Sequence, residues 1–159
     1  MRLKEMIHED YSNYRLPSMF LGTCFCTWKC CKEQGVDHSV CQNSGFGKYP
    51  IVEISDEKIT ELFLENPLSK ALVIGGLEPF EQWEELQKLV LAFRARTEAD
   101  VVIYTGFYPD EIQAKVEWLK RFPNVIIKFG RYKQGDTPHF DEVLGVELAN
   151  KEQFAERIS

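Results

Sequence analysis

Ala71-Leu72-Val73-Ile74-Gly75-Gly76-Leu77-Glu78-Pro79 is the stretch that decides the fold. Four consecutive apolar residues without alternation suit a strand buried on both faces, as in a parallel sheet. Two glycines then let the backbone take positive φ or approach a ligand closely. Pro79 fixes the exit into a helix. Over residues 80–95, Phe80, Trp83, Leu86, Leu89, Val90 and Phe93 fall on one side of that helix. A buried strand, a glycine turn and an amphipathic helix make one βα unit.

The unit repeats on both sides. Upstream, Ser55 is a good N-cap for a helix over 55–66 with Ile59, Leu62 and Phe63 on its face, ended by Asn66-Pro67. Leu16–Leu21, interrupted by Pro17, reads as the first strand. Downstream, Val101–Tyr104 is a strand, Pro109 opens a helix with Ile112, Val116 and Leu119 on its face, Val125–Ile127 is a strand, and Val143–Leu148 reads as the last. Residues 1–15 are ambiguous and 22–50 read as one long loop, a length that in a compact domain usually carries function. The expected class is α/β: a mostly parallel sheet with flanking helices and right-handed crossovers, in a single domain over 1–159. Function in such sheets sits at the carboxyl ends of the strands.

Composition narrows the partners. The chain has 159 residues and a formal charge of −6, with 44% hydrophobic and 28% charged residues. An acidic chain without a dense basic patch argues against nucleic acid as a partner. No segment approaches the ~20 apolar residues that span a bilayer. Residues 1–10 mix both charges and lack the apolar core of a signal peptide, so the expected location is cytoplasmic.

All five cysteines, Cys24, Cys26, Cys30, Cys31 and Cys41, lie in the 22–50 loop. A tight, odd-numbered cluster in a cytoplasmic chain reads as a metal site rather than a disulfide scaffold. Cys26-Thr27-Trp28-Lys29-Cys30 lets two thiolates point at one centre, and Cys41 is a natural third ligand. The side chains of adjacent Cys30 and Cys31 diverge, which leaves Cys31, with Cys24, outside the ligand set. Three cysteines admit two chemistries. One is a cubane iron–sulfur cluster with one iron open to substrate; the other is a closed zinc tetrahedron completed by His38. On the glycine turn, Glu78 could accept hydrogen bonds from an ammonium group. Thr105-Gly106 ends the third strand in a similar turn. Trp28 could shield a cluster, Trp83 and Trp118 read as packing residues, and His139 reads as a surface-loop histidine.

In this order, the motifs resemble the radical S-adenosylmethionine (SAM) superfamily. Cys26–Cys30 with Cys41-Gln42-Asn43 is similar to its cysteine motif, and Gly75-Gly76-Leu77-Glu78-Pro79 to its Gly-Gly-Glu-Pro motif. Within it, Ser18–Gly22, Ile103–Phe107, Lys128–Tyr132 and Val143–Val146 resemble the activating proteins of anaerobic ribonucleoside-triphosphate reductases. The likeness covers most of residues 16–150. It departs at Glu33, which stands where the family has its third cysteine. The motif's third cysteine is then Cys41, as though eight residues were inserted. It departs also at Val40, where the family has an aromatic residue, and at Leu77, an extra residue before Glu78. Closing a loop lengthened two- to four-fold costs only ~0.6–1.2 kcal/mol of entropy.

The resemblance implies a partial, incomplete β/α barrel of radical SAM type. It implies a [4Fe-4S] cluster on Cys26, Cys30 and Cys41, with Gly75, Gly76 and Glu78 at the methionine moiety of SAM and Thr105 and Gly106 lining the pocket. It implies an oxidoreductase whose 5′-deoxyadenosyl radical activates a glycyl-radical enzyme, with flavodoxin or ferredoxin as reductant. Lys128 and Arg131 are expected either to meet a carboxylate or an acidic partner, or to be solvated charges. Two other readings are a small-molecule radical SAM enzyme, related to those making deazaguanine precursors, and a non-catalytic zinc or iron–sulfur module.

Overall fold

The computed structural model describes residues 1–159. In chain order its elements are β1 (Arg2–Leu3), β2 (Glu5–Asp10), β3 (Ser18–Thr23), α1 (Lys29–Gln34), β4 (Val52–Glu53) and α2 (Asp56–Glu65). They continue with β5 (Ala71–Gly76), α3 (Trp83–Arg94), β6 (Asp100–Tyr104), α4 (Gln113–Leu119), β7 (Val125–Phe129), β8 (His139–Asp141), β9 (Val146–Leu148) and β10 (Phe154–Arg157).

Six strands form one sheet in the order β10-β7-β6-β5-β3-β2. The inner four, β3, β5, β6 and β7, are parallel and in sequential order, while β2 and β10 run antiparallel at the two edges. When each new parallel strand is added on the same side, right-handed crossovers put every connecting helix on the same face. The packing agrees. Ile59 and Phe63 of α2, Leu86, Leu89, Val90 and Phe93 of α3, and Val116 and Leu119 of α4 share one core with Met19, Leu21, Leu72, Ile74, Val101, Ile103, Val125 and Ile127. Alternate residues of the same strands, Phe20, Val73, Val102 and Ile126, face the other way, against Tyr14, Leu144 and Leu148. The sheet ends in two free edges and does not close into a barrel.

Local chemistry sets the boundaries. Ser55 Oγ accepts the Lys58 N–H at 3.1 Å and starts α2. Pro79 begins a 3-10 turn, Pro79–Gln82, before α3 proper, so the helix expected from residue 80 opens with this tighter turn. Pro17 keeps β3 from starting before Ser18. Trp83 and Trp118 pack edge to face, centroids 5.4 Å apart, as α3 meets α4.

Four assignments differ from the sequence reading. Residues 22–50 contain helix α1, which ends at Gly35 with φ +66°. Val143–Leu148 is not a further strand of the main sheet. Only Val146–Leu148 is extended, and it forms a small hairpin with β8 over the face away from the helices. His139 opens β8, half-buried, rather than sitting in a surface loop. Residues 1–15 and 154–157 supply strands β1, β2 and β10, whose largely solvent-facing, polar edges carry no apolar alternation.

Candidate metal and cofactor site

The loops that leave β3, β5, β6 and β7 meet over the carboxyl ends of those strands, on the face away from the helices. One cavity there is lined by Cys26, Cys30 and Cys41 together with Gly75, Gly76, Glu78, Thr105 and Gly106. The eight residues that the resemblance assigns to cluster and cofactor thus border a single space, whereas His38, the alternative fourth zinc ligand, does not line it. Cys24 and Cys31 are buried and do not line it.

The cysteine loop is pinned before and after the cavity. Trp28 takes φ 60°, left-handed and rare for a non-glycine residue, and this kink starts α1 between Cys26 and Cys30. The Trp28 N–H donates to Cys26 Sγ at 3.2 Å. Beside Cys41, the backbone N–H of Asn43 acts in the same direction and favours its thiolate. Such N–H bonds favour thiolate and tune cluster potentials. Burial pushes the Cys26 thiol up to about 12 and raises that of Cys41, so binding a metal there must release protons.

The segment that carries Cys41 is anchored rather than loose. Asn43 Nδ2 donates to the Gly76 carbonyl at 2.6 Å, and Lys4 Nζ to the Gly47 and Tyr49 carbonyls at 3.0 and 2.5 Å. Phe46 lies in a notch formed by Gly22 and Gly76, where an added Cβ would come within 2.3 and 3.1 Å of its ring. Gly76 has φ +83° besides, so both conformation and space require glycine there.

Glu78 is buried at the centre of the rim. Its carboxylate accepts the Phe80 N–H at 3.1 Å, the Thr105 hydroxyl at 2.7 Å and the Gly106 N–H at 2.9 Å. Burial outweighs these bonds and pushes its pKa up to about 7. Lys128, equally buried on β7, donates to the Gly130 carbonyl at 3.1 Å, and burial lowers its pKa to about 8. It is neither solvated nor paired with a carboxylate, and it lines the cavity. Arg131 does meet carboxylates, but those of its own chain, Glu33 and Glu111. Glu33 therefore holds an ion pair at the position where the resemblance expects a third cysteine.

The donor set distinguishes the metal chemistries. Zn–S bonds of ~2.3 Å put the sulfurs of a zinc tetrahedron roughly 3.8 Å apart. No three His, Cys, Asp or Glu side chains gather closely enough to hold one such ion. His38 instead lies against Trp28, ring centroids 5.2 Å apart and planes tilted by 39°, with most of its side chain in solvent and outside the cavity that the three cysteines line. In a cubane each thiolate meets its own iron, so the ligands stand apart around a shared space. Three half-buried cysteines bordering one cavity fit that arrangement. Sequence reasoning gave no role to Asn13, Phe46 and Gln153 on the cavity wall, and quoted Asn43, Tyr104 and Tyr132 only within motif stretches.

A family model described as a 4Fe-4S single cluster domain matches residues 17–145, well over half of the chain. Comparison with curated proteins and with solved structures gave no match. No helix is long and apolar enough to cross a membrane.

Proposed function

Because the chain belongs to the 4Fe-4S single cluster domain family, we propose that it is a radical SAM protein acting on a glycyl-radical enzyme of the anaerobic ribonucleotide reductase type. Cys26, Cys30 and Cys41 would hold the cluster, leaving one iron without a protein ligand. The observation that carries this reading is the single cavity shared by those cysteines and the Gly75-Gly76-Leu77-Glu78 turn. When bound, the cluster would pass one electron from a flavodoxin or ferredoxin to the sulfonium of SAM, releasing methionine and the 5′-deoxyadenosyl radical that takes a hydrogen atom from the partner's glycine.

The chain's own residues bind, orient and exclude water. Glu78 is held by Thr105 and Gly106 so that its carboxylate can receive the SAM amine. An arriving ammonium favours its ionised form, offsetting the effect of burial. Lys128 has donors to spare for the SAM carboxylate. Gly75 and Gly76 keep the turn free of side chains where the methionine would lie. Trp28 and Phe46 add apolar wall to the cavity, which favours excluding water from a reactive radical.

Anaerobic reconstitution with iron and sulfide should give a brown protein with about four irons per chain. Dithionite reduction with SAM should then release 5′-deoxyadenosine. Cys26→Ala, Cys30→Ala and Cys41→Ala should each abolish that product and most of the iron. A colourless protein after reconstitution, or full product from the Cys41→Ala variant, would defeat the reading. Incubation with the partner reductase should produce a glycyl-radical EPR signal.

A further inference from the structure

Arg131 lies just beyond β7 and is 4% exposed. Its guanidinium bonds to three residues on two other segments. Nε and Nη2 donate to the two Glu33 carboxylate oxygens at 2.8 and 3.1 Å, Nη2 also donates to Glu111 Oε1 at 2.6 Å, and Nη1 donates to the Gly106 carbonyl. Lys29 closes the group by pairing with Glu111 and, at 3.7 Å, with Glu33. Two cations thus face two anions, and the cluster is balanced in charge. Lys29 and Glu33 flank Cys30 on α1, Glu111 and Gly106 follow β6, and Arg131 follows β7.

Gly106 is where these ties meet. Its carbonyl is held by Arg131 and its N–H holds Glu78. A Cβ at this position would lie 2.9 Å from Cys30 Sγ and 3.6 Å from Glu78 Oε2. The Gly106 peptide is therefore the spacer between a cluster ligand and the carboxylate assigned to the SAM amine. Nothing else on the rim is bonded to both α1 and this peptide.

We propose that Arg131 is a positioning residue that sets the distance between Cys30 and Glu78, acting through Gly106 on one side and through Glu33 on the other. The proposal rests on the radical SAM reading above. In that reading, the same ion pair takes over the tethering of α1 that a cysteine at position 33 would otherwise supply. A planar fork suits this task because it fixes direction as well as charge, and lysine cannot reproduce it.

The test compares wild type, Arg131→Lys and Glu33→Gln, the last chosen because Glu33 is half exposed and its loss leaves the fold least disturbed. Iron and sulfide content should stay at the wild-type level in both variants. The Arg131→Lys variant should lose about a hundredfold in kcat/KM for 5′-deoxyadenosine formation, the scale of an ångström-level misplacement, with much of it in the KM for SAM. Its reduced-cluster EPR spectrum should respond less to added SAM. Glu33→Gln should show a smaller loss of the same kind. Hydrogen–deuterium exchange on the metal-free proteins is the second readout: amides of residues 105–108 should exchange faster in both variants. Unchanged kinetics, EPR and exchange would overturn the proposal. Loss of iron in both variants would also overturn it, making the group an element of folding. Should wild type itself release no 5′-deoxyadenosine, the radical SAM reading fails, and the exchange arm alone decides whether Arg131 ties Gly106 to α1.

Discussion

The two faces of the sheet solve different problems. The helix face is a continuous apolar core in which α2, α3 and α4 cover Leu72, Ile74, Val101, Ile103, Val125 and Ile127. The opposite face has a smaller apolar cluster, and its upper half is left open as the cavity. There the strand ends carry glycine, glutamate, threonine and lysine, and buried polar groups replace close packing. The first face supplies stability through area removed from water. The second keeps Glu78 and Lys128 buried at some cost, because burial disfavours their charged forms. Stability and chemistry are thereby assigned to opposite sides of the same four strands.

Substitutions should separate the two faces. The largest effect belongs to the helix face. Phe93 is fully buried and sits edge-on to Phe63 at 4.8 Å, so Phe93→Ala should cost about 3–5 kcal/mol in urea unfolding. Protein that remains folded should still take up its full iron. Iron lost in proportion to stability would show that the faces are not independent.

Next in size is a pH effect from the cavity face. Folded Glu78 keeps its proton up to about pH 7, whereas an unperturbed carboxyl loses it near 4.5. Between these values the folded chain binds more protons than the unfolded one, so stability falls as pH rises. The fall amounts to roughly 3 kcal/mol at 1.36 kcal/mol per pH unit. Metal-free wild type should therefore have a higher Tm at pH 5 than at pH 7.5, and Glu78→Gln should flatten that slope. An identical slope in both proteins would place the effect elsewhere.

Asn43→Ala should reverse the pattern of Phe93→Ala. It removes one bond, to the Gly76 carbonyl, and should cost only about 1 kcal/mol of stability. That bond steadies the segment bearing Cys41, so iron should pass to a chelator several times faster than from wild type. An unchanged transfer rate would mean that other contacts position Cys41. The smallest effect should come from the Ser55 cap, remote from the cavity. Ser55→Ala should lower stability by about 1 kcal/mol and leave iron transfer unaltered.

Much of this plan is legible without a structure. Ala71–Ile74, Val101–Tyr104 and Val125–Ile127 declare themselves as buried strands because they are apolar on both faces. The stripe from Phe80 to Phe93 declares a helix by its period. The three cysteines and the Gly-Gly turn stand out because their residue types are costly where they have no task. Edge strands such as Glu5–Asp10 and Phe154–Arg157 are hidden, since an exposed edge imposes no pattern on side chains. The short helix α1 is hidden because the cysteines interrupt its period.

The sequence by itself determined the alternation of strands and helices, the side of each element that had to leave water, and the three thiols and one carboxylate available for chemistry. Those follow from local pattern and residue type. Only the tertiary structure decided that four separate loops border one cavity, that Glu33 and Arg131 are partners 98 residues apart, and that His38 turns away from the cysteines. The physical reason is that such encounters depend on strand order and on which loops share a rim, and neither is encoded in the spacing of any one segment.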